Sequence, residues 1–216
     1  MIDARMFTVG PVQENCYIVR APSSDRAVIV DPGDEAPRLL GALQALGIQT
    51  VEAILLTHTH FDHVGAVAPV ARATGAPVYC PELELEVLAD IDGHVRWPGV
   101  GPFESWNAEH SVAGGETLEL AGLTLEVMFV PGHSPGHVSY YVRGSEALFS
   151  GDVLFRDSVG RVDLPGGDWP TLLASIGSLI DAYPPQTVVH PGHMGLTTLG
   201  AERDHNPFLR ELARNA

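Results

Sequence analysis

The sequence predicts an α/β protein in which two β-sheets pack face to face and helices cover the outside. Three observations predict it. Apolar runs of strand length fall in two blocks, and each block passes from a β-rich stretch into one where strands alternate with helical patterns. The apolar run at 51–56 is followed, after a short loop, by the segment 64–71, which is small and apolar enough to pack against a sheet. Several strands end in a loop that carries His or Asp near a Gly, the place where α/β sheets commonly build their sites.

Taken in order, the first 31 residues read as β. Strands at 7–9, 16–19 and 27–30 are punctuated by Gly10-Pro11 and by residues 21–25. Asp31-Pro32-Gly33 is a turn closing the third strand. Leu39, Leu40, Leu43 and Leu46 recur at helical spacing, and Gly47 caps that helix. A strand at 51–57 leads into a His-rich loop and a helix from about 63 to 74, ended by Gly75. A short strand at 77–80 and a helical stretch at 81–90 follow. Residues 91–115, rich in Gly, Pro and Trp, show no periodic element and read as an Ω-loop or lid. His94 and His110 within it read as surface or packing residues. Segments 117–120 and 123–127 flank Ala121-Gly122 and predict a hairpin. Strands at 138–142 and 147–150, a helix over 169–181, a strand at 187–189 and a last helix from about 201 to 214 complete the chain. No linker or repeat divides residues 1–216, which read as one domain.

The formal net charge is −15, and all twelve basic residues are Arg. An acidic surface repels phosphate backbones, so nucleic acid is not the expected partner. With no Lys, a Schiff-base mechanism has no residue to use. No apolar run is long enough to span a membrane, and the first residues lack a signal pattern, so the expected location is the cytoplasm. Cys16 and Cys80 read as buried thiols rather than a disulfide or a nucleophile.

The chemistry concentrates in Thr57-His58-Thr59-His60-Phe61-Asp62-His63. Its last six positions hold three His, where ten His in 216 residues would place about 0.3. Neutral imidazole is the commonest metal ligand, and a carboxylate adds hard oxygen and charge. Three further candidates each follow an apolar strand near a Gly: His133, Asp152 and His193. Seven donors are too many for one tetrahedral zinc and suit two divalent ions. An economical partition gives His58, His60 and His133 to one ion and Asp62, His63 and His193 to the other, with Asp152 spanning both. Zinc is the first expectation for the metal, with iron or manganese as alternatives. His137 reads as a residue that holds its loop or a ligand in place. His190 and His205 read as structural, and Ser134 and Ser150 as turn formers.

These motifs, over essentially the whole chain, resemble the metallo-β-lactamase superfamily. Gly151-Asp152-Val153-Leu154-Phe155, Gly160-Arg161-Val162-Asp163 with Pro165-Gly166-Gly167, and Asn206-Pro207-Phe208-Leu209 resemble its glyoxalase II branch, in the single-domain bacterial form. The resemblance implies an αββα sandwich with a dinuclear site at one edge and the same seven ligands. It implies hydrolysis of a small-molecule thioester, lactoylglutathione, to lactate and glutathione, by a hydroxide bridging two metals. Asp62 would be both ligand and the group that orients or deprotonates the nucleophile. A channel reading puts Arg161 against a substrate carboxylate and Phe155, Trp169 and Tyr141 in an apolar wall. The plainer reading pairs Arg161 with Asp163 and leaves the three aromatics in the core. Two-domain members carry a C-terminal helical extension that makes most glutathione contacts, and this sequence is expected to lack it. Rival activities of the same fold are a glutathione persulfide dioxygenase with one iron and a lactonase or phosphodiesterase.

Overall fold

A computed structural model describes residues 2–95, 97 and 99–209. The first sheet contains β1 (Asp3–Val9), β2 (Glu14–Arg20), β3 (Arg26–Val30), β4 (Thr50–Leu55), β5 (Val78–Pro81) and β6 (His110–Val112), adjacent in that order. β1 to β3 run antiparallel; β3 to β6 run parallel, as strands joined by helices must. The connecting helices are α1 (Ala36–Ala45), α2 (Phe61–Val64), α3 (Val67–Thr74), α4 (Leu85–Ala89) and α5 (Ile91–His94). The second sheet contains β7 (Thr117–Leu120), β8 (Leu123–Phe129), β9 (Val138–Val142) and β10 (Ala147–Gly151). A ribbon of β11 (Leu154–Phe155) and β12 (Ser158–Val159) and the helix α6 (Trp169–Ala182) precede its remaining strands, β13 (Val188–Pro191) and β14 (Thr197–Thr198). Its spatial order is β14-β13-β10-β9-β8-β7, and α7 (Leu199–His205) follows.

Side-chain alternation distributes each strand between two layers. Tyr17, Val19, Val28, Val30 and Leu55 of the first sheet meet Leu125, Val127, Tyr140, Val142 and Phe149 of the second in one buried cluster. The opposite faces carry Ile18, Ile29 and Ile54 against Leu39, Leu43, Val67 and Val70, and Leu148 and Val189 against Leu172, Ile176 and Leu179. The layers are therefore helix, sheet, sheet, helix. A central strand covered on both faces must be apolar throughout, which is why β3 and β4 read as continuous runs. Truncating a fully buried Leu125 or Ile54 to Ala would cost about 2–5 kcal/mol.

The hairpin of β7 and β8 closes through Ala121 at φ 53° and Gly122 at φ 72°, the positive pair that a tight two-residue turn requires. Four expectations change in detail. The helix expected at 63–74 is two, α2 and α3, separated at Gly65 and Ala66. Residues 82–84 form a 3₁₀ turn before α4, so the helical stretch is broken. Residues 91–115 contain α5 and the edge strand β6, whose His110 ring packs at a tilt against Tyr79 with ring centres 4.4 Å apart. The last helix starts earlier, at Leu199, where the Thr198 side chain accepts from the Ala201 amide. It ends at His205 because Pro207 disfavours helical geometry at Asn206; positions 210–214 lie outside the described residues. Among the described residues no helix is long and apolar enough to cross a membrane.

Candidate metal centre

The loop after β4 leaves the sheet at Leu56 and is tied down before each donor. The Thr57 amide and hydroxyl donate to Asp31 Oδ1 and Oδ2 at 2.8 and 2.6 Å. The Thr59 amide and hydroxyl donate to Glu84 Oε2 at 2.9 and 2.6 Å. His60 is the N-cap of α2 in extended geometry; Asp62 then reaches toward His193, while the His63 ring stays 4.1 Å from that of His58. Asp62 lies in the first turn, where helix amides favour an anion. From the second sheet, His133 follows β8, Asp152 follows β10 and His193 follows β13.

All seven donors predicted from the sequence converge. Ligating atoms of His58, His60 and His133 lie within 4.8 Å of one another, as do those of Asp62, His63 and His193. Asp152 sits between the two sets. Its Oδ1 is 3.4 Å from His63 Nε2, and its Oδ2 is 3.5 Å from His133 Nε2 and 3.4 Å from His193 Nε2. His58 Nε2, His63 Nε2 and Asp152 Oδ1 are buried, with no hydrogen-bond partner among the described residues. Buried polar atoms are costly to leave unpaired, and this imidazole and carboxylate set suits a divalent cation.

Hydrogen bonds select the tautomers. His63 Nδ1 faces Asp31 Oδ2 at 3.0 Å, His133 Nδ1 faces the Arg161 carbonyl at 2.8 Å and His193 Nδ1 faces the Gln13 carbonyl at 3.2 Å. These oxygens only accept, so each Nδ1 donates and Nε2 is turned to the centre. The Thr57 hydroxyl donates its hydrogen bond to Asp31, so at 3.0 Å its oxygen accepts from His58 Nδ1 and leaves His58 Nε2 free. His60 differs: its Nδ1 faces His133 Nε2 at 2.8 Å.

Electrostatics divide the imidazoles. Burial, then the neighbouring histidines, lowers His58 well below the usual value. Burial and His133 bring His60 to about 4. Both are neutral at pH 7, the form that binds metal. Burial also works against charge on His193, but the carboxylates of Asp152 and Asp62 outweigh it and raise the group to about 9. Against the effect of burial, His63 and then His193 hold Asp152 well below the usual carboxylate range. Without a cation, protons on His63 and His193 balance the two carboxylates.

His137 takes the supporting place expected of it. Its Nε2 accepts from the Asp152 amide at 3.1 Å, and its ring stacks on His58 at 4.7 Å. The Arg161 guanidinium is engaged by Asp163, while its carbonyl holds His133. Phe155 is buried and meets the His193 ring edge-on at 5.9 Å. Tyr141 stacks on Tyr183 at 4.0 Å and Trp169 packs near Phe208, which leaves both in packing roles. His190 sits between Tyr17 and Phe149, and Cys16 and Cys80 are buried free thiols.

Three supporting residues escape the sequence reading. Asp31 appears only as the start of a turn, Glu84 lies in an acidic stretch, and Asn15 sits in a strand. Asn15 is buried, and its Nδ2 donates to the carbonyls of Pro191 and Met194 on either side of His193. Beside Asp62 a cleft of about 280 Å³ is lined by Pro11, Val12, Asp34, Phe61, Val100 and Phe103, among others. Part of the lid expected at 91–115 thus forms one wall of it.

Residues 9–193 match the metallo-β-lactamase superfamily, and the chain belongs to that family. Its fold and its clusters of His and Asp make it a metal-dependent hydrolase of that superfamily. The chain is 41% identical over 207 residues to the probable metallo-hydrolase YqgX of Bacillus subtilis, covering 95% of this chain and 96% of that one. It is 32% identical over 214 residues to the hydroxyacylglutathione hydrolase GloC of Haemophilus influenzae, covering 96% and 98%. Among solved structures, the BLEG-1 B3 metallo-β-lactamase superposes with a TM-score of 0.90 at 44% identity, covering 97% of this chain and 99% of that one. TTHA1623 in a di-iron-bound form gives 0.84 at 46% identity, covering 95% and 100%.

Proposed function

We propose that this chain is a thioester hydrolase of the glyoxalase II type, cleaving an S-acylglutathione such as lactoylglutathione. The observation that carries the reading is the pair of three-donor sets with Asp152 between them. The end-to-end likeness to GloC supports the choice of substrate. His58, His60 and His133 would hold one divalent ion, and Asp62, His63 and His193 the other; Asp152 lies between them, its Oδ2 near His133 and His193 and its Oδ1 near His63. When bound, two such ions supply Lewis-acid charge and bring the pKa of water toward neutrality. The di-iron form of TTHA1623 supports iron beside zinc as the metal.

The residues of the chain do the rest. Asp31, the carbonyls of Gln13 and Arg161, and the Thr57 hydroxyl hold four imidazoles in the tautomer that presents Nε2. Asp62, its Oδ2 3.3 Å from His193 Nε2, both completes its set and orients the nucleophilic water toward the thioester carbonyl. The leaving group is a thiolate, stable without protonation, so no general acid is needed. Phe61, Val12, Val100 and Phe103 give the acyl group an apolar surface beside Asp62.

The test is loss of the lactoylglutathione thioester with metal-replete protein, with Asp152→Ala as control. Turnover that disappears in the variant supports the reading; no turnover on any glutathione thioester refutes it. The likeness to BLEG-1 favours a second reading, opening of a β-lactam ring, which a chromogenic cephalosporin tests in the same preparation.

A further inference from the structure

Glu84 is a buried carboxylate that touches neither candidate ion set, yet it makes four hydrogen bonds. It stands at the end of the 3₁₀ turn after β5, 4% exposed. Oε2 accepts from the amide and hydroxyl of Thr59, between His58 and His60. Oε1 accepts from the Ser134 hydroxyl and from the Gly136 amide at 2.9 Å, on the loop that carries His133. A side chain at position 136 would collide with Glu84 Cγ, so this loop is built to admit the carboxylate. One oxygen therefore grips a loop of the first sheet and the other a loop of the second. The two loops carry His58, His60 and His133, the three-histidine set. Glu84 touches none of the supports of the other set: Asp31, which also holds Thr57, and the Gln13 carbonyl face His63 and His193, and Asn15 holds the loop of His193.

We propose that Glu84 is the positioning residue for the three-histidine half of the centre, and that it acts on that half alone. The inference rests on the two-ion reading above. Glu84→Gln tests it sharply. An amide keeps one acceptor and turns an NH₂ toward the donors of the other loop. Since each oxygen accepts from one backbone amide, of Thr59 or Gly136, either orientation sets the NH₂ against an amide that can only donate and weakens the hold on that loop.

The experiment titrates metal-free protein with Zn²⁺ against a chromophoric chelator. Co²⁺ absorption, compared with His60→Ala, identifies which ion is affected. Metal-free Glu84→Gln is also melted by circular dichroism. The expected result is one ion bound as in the parent and the other, the one lost in His60→Ala, weakened about 10- to 100-fold, as for other groups that orient ligands. Ser134→Ala and Thr59→Val, each deleting one hydrogen bond, should weaken the same ion less, and they carry the test if Glu84→Gln does not fold. Unchanged affinity for both ions, or equal weakening of both with a lowered melting temperature, would overturn the proposal. If the parent binds a single ion, the two-ion reading fails; the proposal then stands or falls on whether Glu84→Gln weakens that ion.

Discussion

Gly192 lies between Pro191 and His193 and is pinned on both sides. Its amide donates to the Gly151 carbonyl at 2.9 Å, and its carbonyl accepts from the Asn15 amide at 2.7 Å. A Cβ at this position would overlap Asp152 Oδ1 and approach His63 Cε1 to 2.6 Å, where ordinary contact begins at 3.4 Å. The held backbone cannot retreat, so Gly192→Ala should displace the Asp152 and His63 side chains by close to an ångström. Crowding of this kind costs about 1–3 kcal/mol of stability. For a domain of this size that lowers the melting temperature by about 2–12 °C. A misplacement of about 1 Å at a reacting centre lowers turnover about 100-fold. The assay is kcat on lactoylglutathione, read beside metal content and the thermal melt. A variant with two ions and activity within about threefold of the parent would refute the steric argument, since the predicted loss is far larger.

Further expectations concern the centre and its surroundings. Asp152→Ala removes the carboxylate shared by both donor sets, so metal content and activity should fall together; a fully loaded, active variant would contradict the shared role. Arg161→Ala should leave metal content unchanged, because His133 is held by the backbone carbonyl, and should raise KM if the guanidinium meets substrate. Loss of metal in that variant would show that the exposed ion pair with Asp163 fixes the carbonyl. The chelated protein should be most stable near pH 6.5, the ordinary histidine value. His193, raised to about 9, contributes stability below 6.5 that is lost as pH climbs toward 9. His60, lowered to about 4, contributes stability above 6.5 that is lost as pH falls toward 4. A melting temperature that rises steadily from pH 6 to 9 would show that these pairings are absent.

Much of the molecule is written in local pattern. Strands such as β9 and β10 are apolar because both their faces are covered, and the donors stand where such strands end, beside Gly. Hence short motifs were enough to pick out seven candidate donors that the fold brings together. Their supports could not be picked out this way, because those depend on partners far along the chain. Glu84 resembles a residue of a solvated acidic run until the fold brings it to Ser134, 50 positions away. Asn15 finds Pro191 across 176 positions, and no periodicity encodes that meeting. The strand β6 was hidden for a related reason: three residues on a sheet edge, two of them exposed, carry no apolar signal. The break between α2 and α3 is tertiary too, since the Ala66 amide donates to the Pro32 carbonyl rather than continuing a helix.

The two proposed ion sets share one property of placement. His58, His60, Asp62 and His63 extend from the first sheet, whereas His133 and His193 extend from the second. Each ion would thus rivet the two layers together, between histidines such as His60 and His133 that are 73 positions apart. Neither half of the chain owns either proposed set in full, although Asp31, His58 and His63 bring three donors together within the first half. Loading of both proposed sets, rather than uptake of one ion, would then report that the two sheets have come together.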